Sequence, residues 1–182
     1  MHTEVHVHGD ISLKRGAGSA EIEQALRPWL EYVDVDSLAE ATSARDEEPG
    51  IALDVRKRVL QICWTGWVGR NFQRALESAL SAVCEFAEGA AAIEVTYYQE
   101  DGRDEFGVVF VGPDPTAIER AKRGRLIEDV AMLLSRQFGE QEVGQVATLI
   151  ERLFEEQARS QQDPASAPAA IRGPISGRKH LH

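Results

Sequence analysis

A chain of 182 residues with 43% hydrophobic and 27% charged residues fits one globular domain, because a single core serves about 100–200 residues. Its formal net charge of −10, from 30 acidic and 20 basic residues, argues against broad affinity for nucleic acid or for an anionic membrane surface. No apolar run approaches the roughly 18 residues of a membrane span, and residues 1–10 lack the basic start and apolar stretch of an export signal, so a cytoplasmic protein is expected.

Residues 3–13 alternate, with Val5, Val7, Gly9, Ile11 and Leu13 on one side and Glu4, His6, His8, Asp10 and Ser12 on the other, which is the pattern of a half-buried strand. A turn at residues 14–18 leads to a helix capped by Ser19, with Glu21 and Glu23 suited to the positive end of its dipole. Pro28 disfavours helical geometry at Arg27, which ends that helix, and Tyr32-Val33-Asp34-Val35 reads as a strand. Polar residues 36–50 form a surface connection ending in Pro49-Gly50. Ile51, Leu53 and Val55, then Val59–Trp64, read as two short strands or one bent strand. Thr65-Gly66-Trp67-Val68-Gly69 reads as a turn. Phe72, Leu76, Leu80 and Val83 recur at helical spacing, with Gly89 as the helix stop.

Ile93, Val95 and Tyr97, an Asp101-Gly102 turn, and Phe106, Val108 and Phe110 make a β-hairpin. Asp114 caps, and Pro115 opens, a long helix whose apolar side holds Ile118, Leu126, Val130, Leu133, Leu134 and Phe138. Gly139 breaks it. A last helix carries Val143, Val146, Ile150, Leu153 and Phe154 and ends near residue 158. Residues 159–182, rich in Pro, Ala and Ser, are expected to be disordered. They are mildly basic, with Arg159, Arg172, Arg178 and Lys179 against Asp163 alone.

The resulting order, β-α-β-β-α-β-β followed by two helices, is an α+β antiparallel design that resembles a ferredoxin-like sheet with additions. The expected division is an α+β core over residues 1–112, a helical region over 113–158, packed on the core or forming an oligomer arm, and the tail over 159–182.

Candidate chemistry is sparse. His6 and His8 are two apart on a strand, so their imidazoles project from one face and can share a metal, as in a metal-dependent hydrolase; the plainer alternative is a solvent-facing polar row. Gly66, Gly69 and Arg70 precede a helix and can hold an anion, although the lysine and hydroxyl of a nucleotide loop are missing. Arg56-Lys57-Arg58 and Arg120, Lys122, Arg123 and Arg125 would recognise phosphate or nucleic acid if they met in space. The acidic hairpin tip, Asp101, Asp104 and Glu105, suits a basic protein partner. Cys63 and Cys84, each in an apolar segment, fit no disulfide or metal spacing and read as reduced core thiols. No nucleophile elbow is present, and no cofactor is implied.

These features favour a small acidic, non-enzymatic interaction or regulatory protein that self-associates through residues 143–154 and binds a protein partner, one version being an inhibitor of a nucleic-acid-binding complex. A phosphate or nucleic-acid binder using Arg70 and the two basic groups is the alternative. A hydrolase built on His6 and His8 is the third reading.

Overall fold

Alternation decides the first element: Val5, Val7 and Ile11 are completely buried and Leu13 nearly so, while the intervening polar side chains face away from the core. A computed structural model describes residues 2–162. Its elements are β1 (Thr3–Ser12), α1 (Ser19–Ala25), α2 (Arg27–Tyr32), β2 (Gly50–Asp54), β3 (Val59–Val68), α3 (Phe72–Val83), β4 (Ala91–Tyr98), β5 (Glu105–Val111), α4 (Pro115–Leu134) and α5 (Glu140–Gln162). The fold is α+β, with five antiparallel strands in the order β2-β3-β1-β4-β5.

β1 is the middle strand. It pairs with β3 from Thr3↔Val68 to Ser12↔Val59 and with β4 from Glu4↔Tyr98 to His8↔Glu94. That register puts Leu60, Ile62, Trp64 and Val68 of β3 beside the apolar set of β1, and Ile93 and Val95 of β4 join them. Helices α1, α2 and α3 cover this inner face with Ile22, Trp29, Leu30, Phe72, Leu76 and Leu80, all at most 1% exposed. At its centre, the rings of Trp29 and Trp64 meet edge to face at 5.6 Å and those of Trp64 and Phe72 stack at 5.7 Å, the offset geometries aromatic quadrupoles prefer.

Several local expectations change. Residues 27–32 are helical: Pro28 falls within the first two positions of α2, where its missing N–H is no loss and its fixed φ is already helical. The strand expected at 32–35 is therefore absent. Tyr32 closes α2, and Asp34 takes a positive φ of 59° that turns the chain. β3 does not stop at Trp64 but runs to Val68. α1 begins at Ser19 with Gly18 as the cap residue, and the Glu21 carboxylate accepts the Gly18 N–H at 2.8 Å. α3 tightens into a 3₁₀ turn at Cys84–Phe86, so the chain leaves the helix before Gly89. Asp114 caps α4, accepting the Ala117 N–H at 2.9 Å.

The chain divides into two compact units between Leu126 and Ile127, within α4. α5 continues past residue 158 to Gln162, with Arg159 paired one turn back to Glu155 at 3.5 Å, so residues 159–162 are helical where disorder was expected. The remainder of the expected disordered tail lies outside the described residues.

Candidate functional site

Helices α1–α3 cover only one face of the sheet. On the other, β3 presents Gln61, Cys63, Thr65 and Trp67, β1 presents Glu4, His6, His8 and Asp10, and β4 presents Glu94, Thr96 and Tyr98, as the register requires. Cys63 is the direct cross-strand neighbour of His8, whose other neighbour is Glu94. The rings of His6 and His8 are nearly parallel, at 12°, with centroids 6.0 Å apart. One donor atom from each of His6, His8 and Cys63 lies within 4.8 Å of the other two. The two-residue spacing of the histidines thus does what a shared strand face dictates, and the register adds a sulfur.

The 36–50 connection folds over one side of this cluster. Ile51 N–H donates to the Ala41 carbonyl at 3.0 Å and Ala44 N–H to the Thr65 carbonyl at 2.8 Å, while Ser43 Oγ accepts the Thr65 N–H at 2.8 Å. Thr65 is consequently 1% exposed although it sits on the outer face. The same connection delivers Glu48, whose Oε1 is 3.4 Å from His6 Nδ1 and whose Oε2 accepts the Ser43 hydroxyl at 2.5 Å. Burial disfavours the ionised Glu48, but hydrogen bonds from the Ser43 and Thr65 hydroxyls, with His6 and Arg45 nearby, outweigh it and hold the carboxyl below its ordinary range. Burial pushes the Cys63 thiol up, and Glu48 and Asp10 add to this against the opposing pull of Arg45. Arg45 links Glu4 at 2.8 Å and Glu48 at 3.7 Å and lies over the Tyr98 ring at 5.5 Å.

The glycine-rich junction is built differently from the expected turn. Gly66 lies within β3, and Gly69 N–H already donates to Tyr32 Oη at 2.6 Å; Arg70 is exposed nearby. Arg56, Lys57 and Arg58 occupy the β2–β3 turn, where Lys57 pairs with Asp54 at 3.5 Å and Arg58 with Glu88 at 3.4 Å. On α4, Lys122 pairs with Glu119 at 2.8 Å and Arg125 reaches Glu94 of β4 at 2.7 Å; Arg120 and Arg123 flank them. One basic group thus belongs to the β2–β3 side of the sheet and Arg125 to β4, with β1 between.

At the hairpin, Asp101 accepts the Arg103 N–H and Asp104 the Gln99 N–H, each at 3.1 Å, so both carboxylates shape the turn. Glu4, Trp67, Tyr98, Glu100, Asp101 and Glu105 line an open groove of about 660 Å³, and Trp67 is 66% exposed there. In the second unit, Val143, Val146, Ile150 and Phe154 are half-buried along α5, whereas Leu149 and Leu153 are largely exposed, as are Met132, Leu133 and Phe138.

A family model spans residues 3–155, from β1 into α5. The chain belongs to DUF6806, a family of unknown function. Neither a curated protein nor a solved structure matches the chain. In this DUF6806 protein the His6–His8–Cys63 cluster, the Glu48 connection and most of α5 all lie inside the matched span.

Cys63, Thr65 and Glu48 were the residues that sequence reasoning did not join to the histidines. Cys63 looked like core because its neighbours Ile62 and Trp64 are apolar. Strand parity carried the missing signal: if Leu60, Ile62 and Trp64 point inward, Cys63 must point outward. No comparable signal marked Glu48, which reaches the cluster only through a folded connection. The described residues contain no helix long and apolar enough to cross a membrane.

Proposed function

We propose that this protein works by association, pairing with a second copy through the helical unit formed by the end of α4 and by α5, and holding a basic segment of a protein partner at the acidic end of the β4–β5 hairpin. The observation that carries the first part is the exposure of large apolar side chains in that unit: Met132, Leu133, Phe138, Leu149 and Leu153 are each between 44% and 58% exposed, a grouping of the kind that marks an interaction surface. Charge points to a second copy as the occupant. Residues 115–125 of α4 carry Arg120, Lys122, Arg123 and Arg125 against Glu119, whereas α5 carries Glu140, Glu142, Glu151, Glu155 and Glu156 against Arg152 and Arg159. These opposite charges favour pairing α4 of one copy with the amphipathic α5 of another.

Light scattering coupled to size exclusion is expected to give about twice the monomer mass of 20.1 kDa. In Leu133→Glu/Leu153→Glu the mass should fall to that of the monomer, with the helical circular dichroism retained. A monomeric wild-type chain at tens of micromolar would remove the reading.

The hairpin groove supports the partner half of the proposal, because carboxylates beside an exposed indole suit a guanidinium or ammonium group. An arginine-rich peptide should quench the emission of Trp67, and Glu105→Lys should abolish that quenching. No response from the wild-type chain would reject the surface.

The strand order β2-β3-β1-β4, antiparallel throughout and with helices in both crossovers, supports a ferredoxin-like reading of the first four strands, to which β5 is an addition. Two free thiols, Cys63 and Cys84, suit a reducing, cytoplasmic setting.

A further inference from the structure

On the outer face of the sheet the His6–His8–Cys63 cluster sets two imidazoles and a thiol within 4.8 Å of one another with no polar role in the fold to explain all three. His8 is exposed and the other two half-buried. Their chemistry is that of a borderline-soft metal site, since imidazole nitrogen and thiolate sulfur are the ligands that zinc-like cations prefer. Bond lengths of about 2.0–2.3 Å around a tetrahedral ion separate ligand atoms by roughly 3.3–3.7 Å. Closing from the present spacing requires side-chain shifts of about an ångström, which rotation of surface side chains supplies.

The hydrogen bonds around His6 decide which nitrogen is free. Glu48 Oε1 lies 3.4 Å from His6 Nδ1 and a carboxylate only accepts, which favours a proton on that nitrogen. Thr65 Oγ1, 3.0 Å from His6 Nδ1, must then accept from an Nδ1–H. That tautomer leaves the lone pair on Nε2. A ligating histidine usually has its second nitrogen fixed by a carboxylate, a carbonyl or a water, which orients the ring and raises its basicity; here Thr65 and Glu48 form that support. Glu94, beside His8, is engaged by Arg125 at 2.7 Å.

We propose that His6 Nε2, a nitrogen of His8 and the Cys63 thiolate bind one zinc-like divalent cation, with the fourth position open to water or a small anion. Binding forms one sulfur–metal and two nitrogen–metal bonds and releases the Cys63 proton to solvent; no oxidation is involved. The site does not depend on self-association, because all of its residues lie in the first of the two units.

The test uses the full-length chain, purified without an affinity tag, with Zn²⁺ and Co²⁺ as probes. Dialysis against Zn²⁺ should retain one equivalent by elemental analysis, and Co²⁺ should give a thiolate-to-metal charge-transfer band. Cys63→Ser should abolish the band. His8→Ala should weaken zinc binding at least tenfold, and Thr65→Val, which removes the outer support, about tenfold. Because His2, His180 and His182 lie near the chain ends and can hold metal on their own, His180→Ala/His182→Ala must keep both the equivalent and the band. Loss of either in that variant overturns the proposal. So does bound cobalt without a thiolate band in the wild-type chain, or a wild-type chain that retains no metal. The wild-type cobalt spectrum decides the matter even if one of the variants fails to fold.

Discussion

Gly66→Val is expected to destabilise the protein by about 3 kcal/mol, at the upper end of what overpacking a core costs, lowering the thermal midpoint by about 6–12 °C for a chain of this size. The cause is steric. A Cβ built on Gly66 would lie 2.3 Å from the Trp64 ring, so the indole folds back over its own strand and fills the space where a side chain would be. That ring cannot simply swing away: it stacks on Phe72 and meets Trp29 edge to face, and both of those residues are fully buried. Shrinking the indole in the background of the first change, as Gly66→Val/Trp64→Leu, should return part of the loss. Thermal denaturation of the four proteins of this cycle measures the coupling, and additive effects would show that Gly66 and Trp64 do not compete for one volume.

The second large effect is expected for Gly50→Ala. Gly50 has φ of +76°, and a Cβ there would stand 2.3 Å from the Ala41 carbonyl oxygen, the acceptor of the Ile51 N–H that ties the 36–50 connection to β2. Left-handed geometry alone costs an alanine about 1–2 kcal/mol, and a backbone oxygen cannot move aside as a flexible side chain can. The combined loss should be about 2–4 kcal/mol. Its local consequence is more telling than the midpoint: the connection should lift from the sheet, exposing the peptide bond after Arg45, which is otherwise held through Glu4 and Glu48. Limited trypsin digestion should cut there several times faster in the variant than in the wild type. Unchanged cleavage with a lowered midpoint would show that the strain spreads through the fold instead of opening this loop.

Much of the fold was legible because single periodicities dominated. The alternation of residues 3–13 and the helical spacing of Phe72, Leu76, Leu80 and Val83 each had one burial solution, which β1 and α3 adopted; the hairpin around Asp101-Gly102 also formed, but Phe106 and Val108 of its returning strand lie on the outer face, 80% and 39% exposed, and Val109 and Val111 turn inward instead. Reading failed where one residue type serves two geometries. Pro28 ends a helix from inside but starts one at its first turn, and here it starts one. Gly66 read as a turn, yet its lack of a side chain was needed inside a strand to admit an indole. The candidate site was half legible, since His6 and His8 follow from spacing on a single strand. Cys63 required the parity of a second strand and its register, and Glu48 required a tertiary fold that no local pattern encodes.

β1 is paired on both of its edges, and this bears on what becomes of the cluster when nothing is bound. A shift of one residue in β1 would carry Val5 and Val7 into water and both imidazoles into the apolar layer, so the strand has one admissible alignment. The seating of His8 opposite Cys63, and of His6 opposite Thr65, is therefore inherited from the backbone and needs no ion to organise it. For the proposed site, side-chain shifts of about an ångström are then all that separates these donors from tetrahedral spacing.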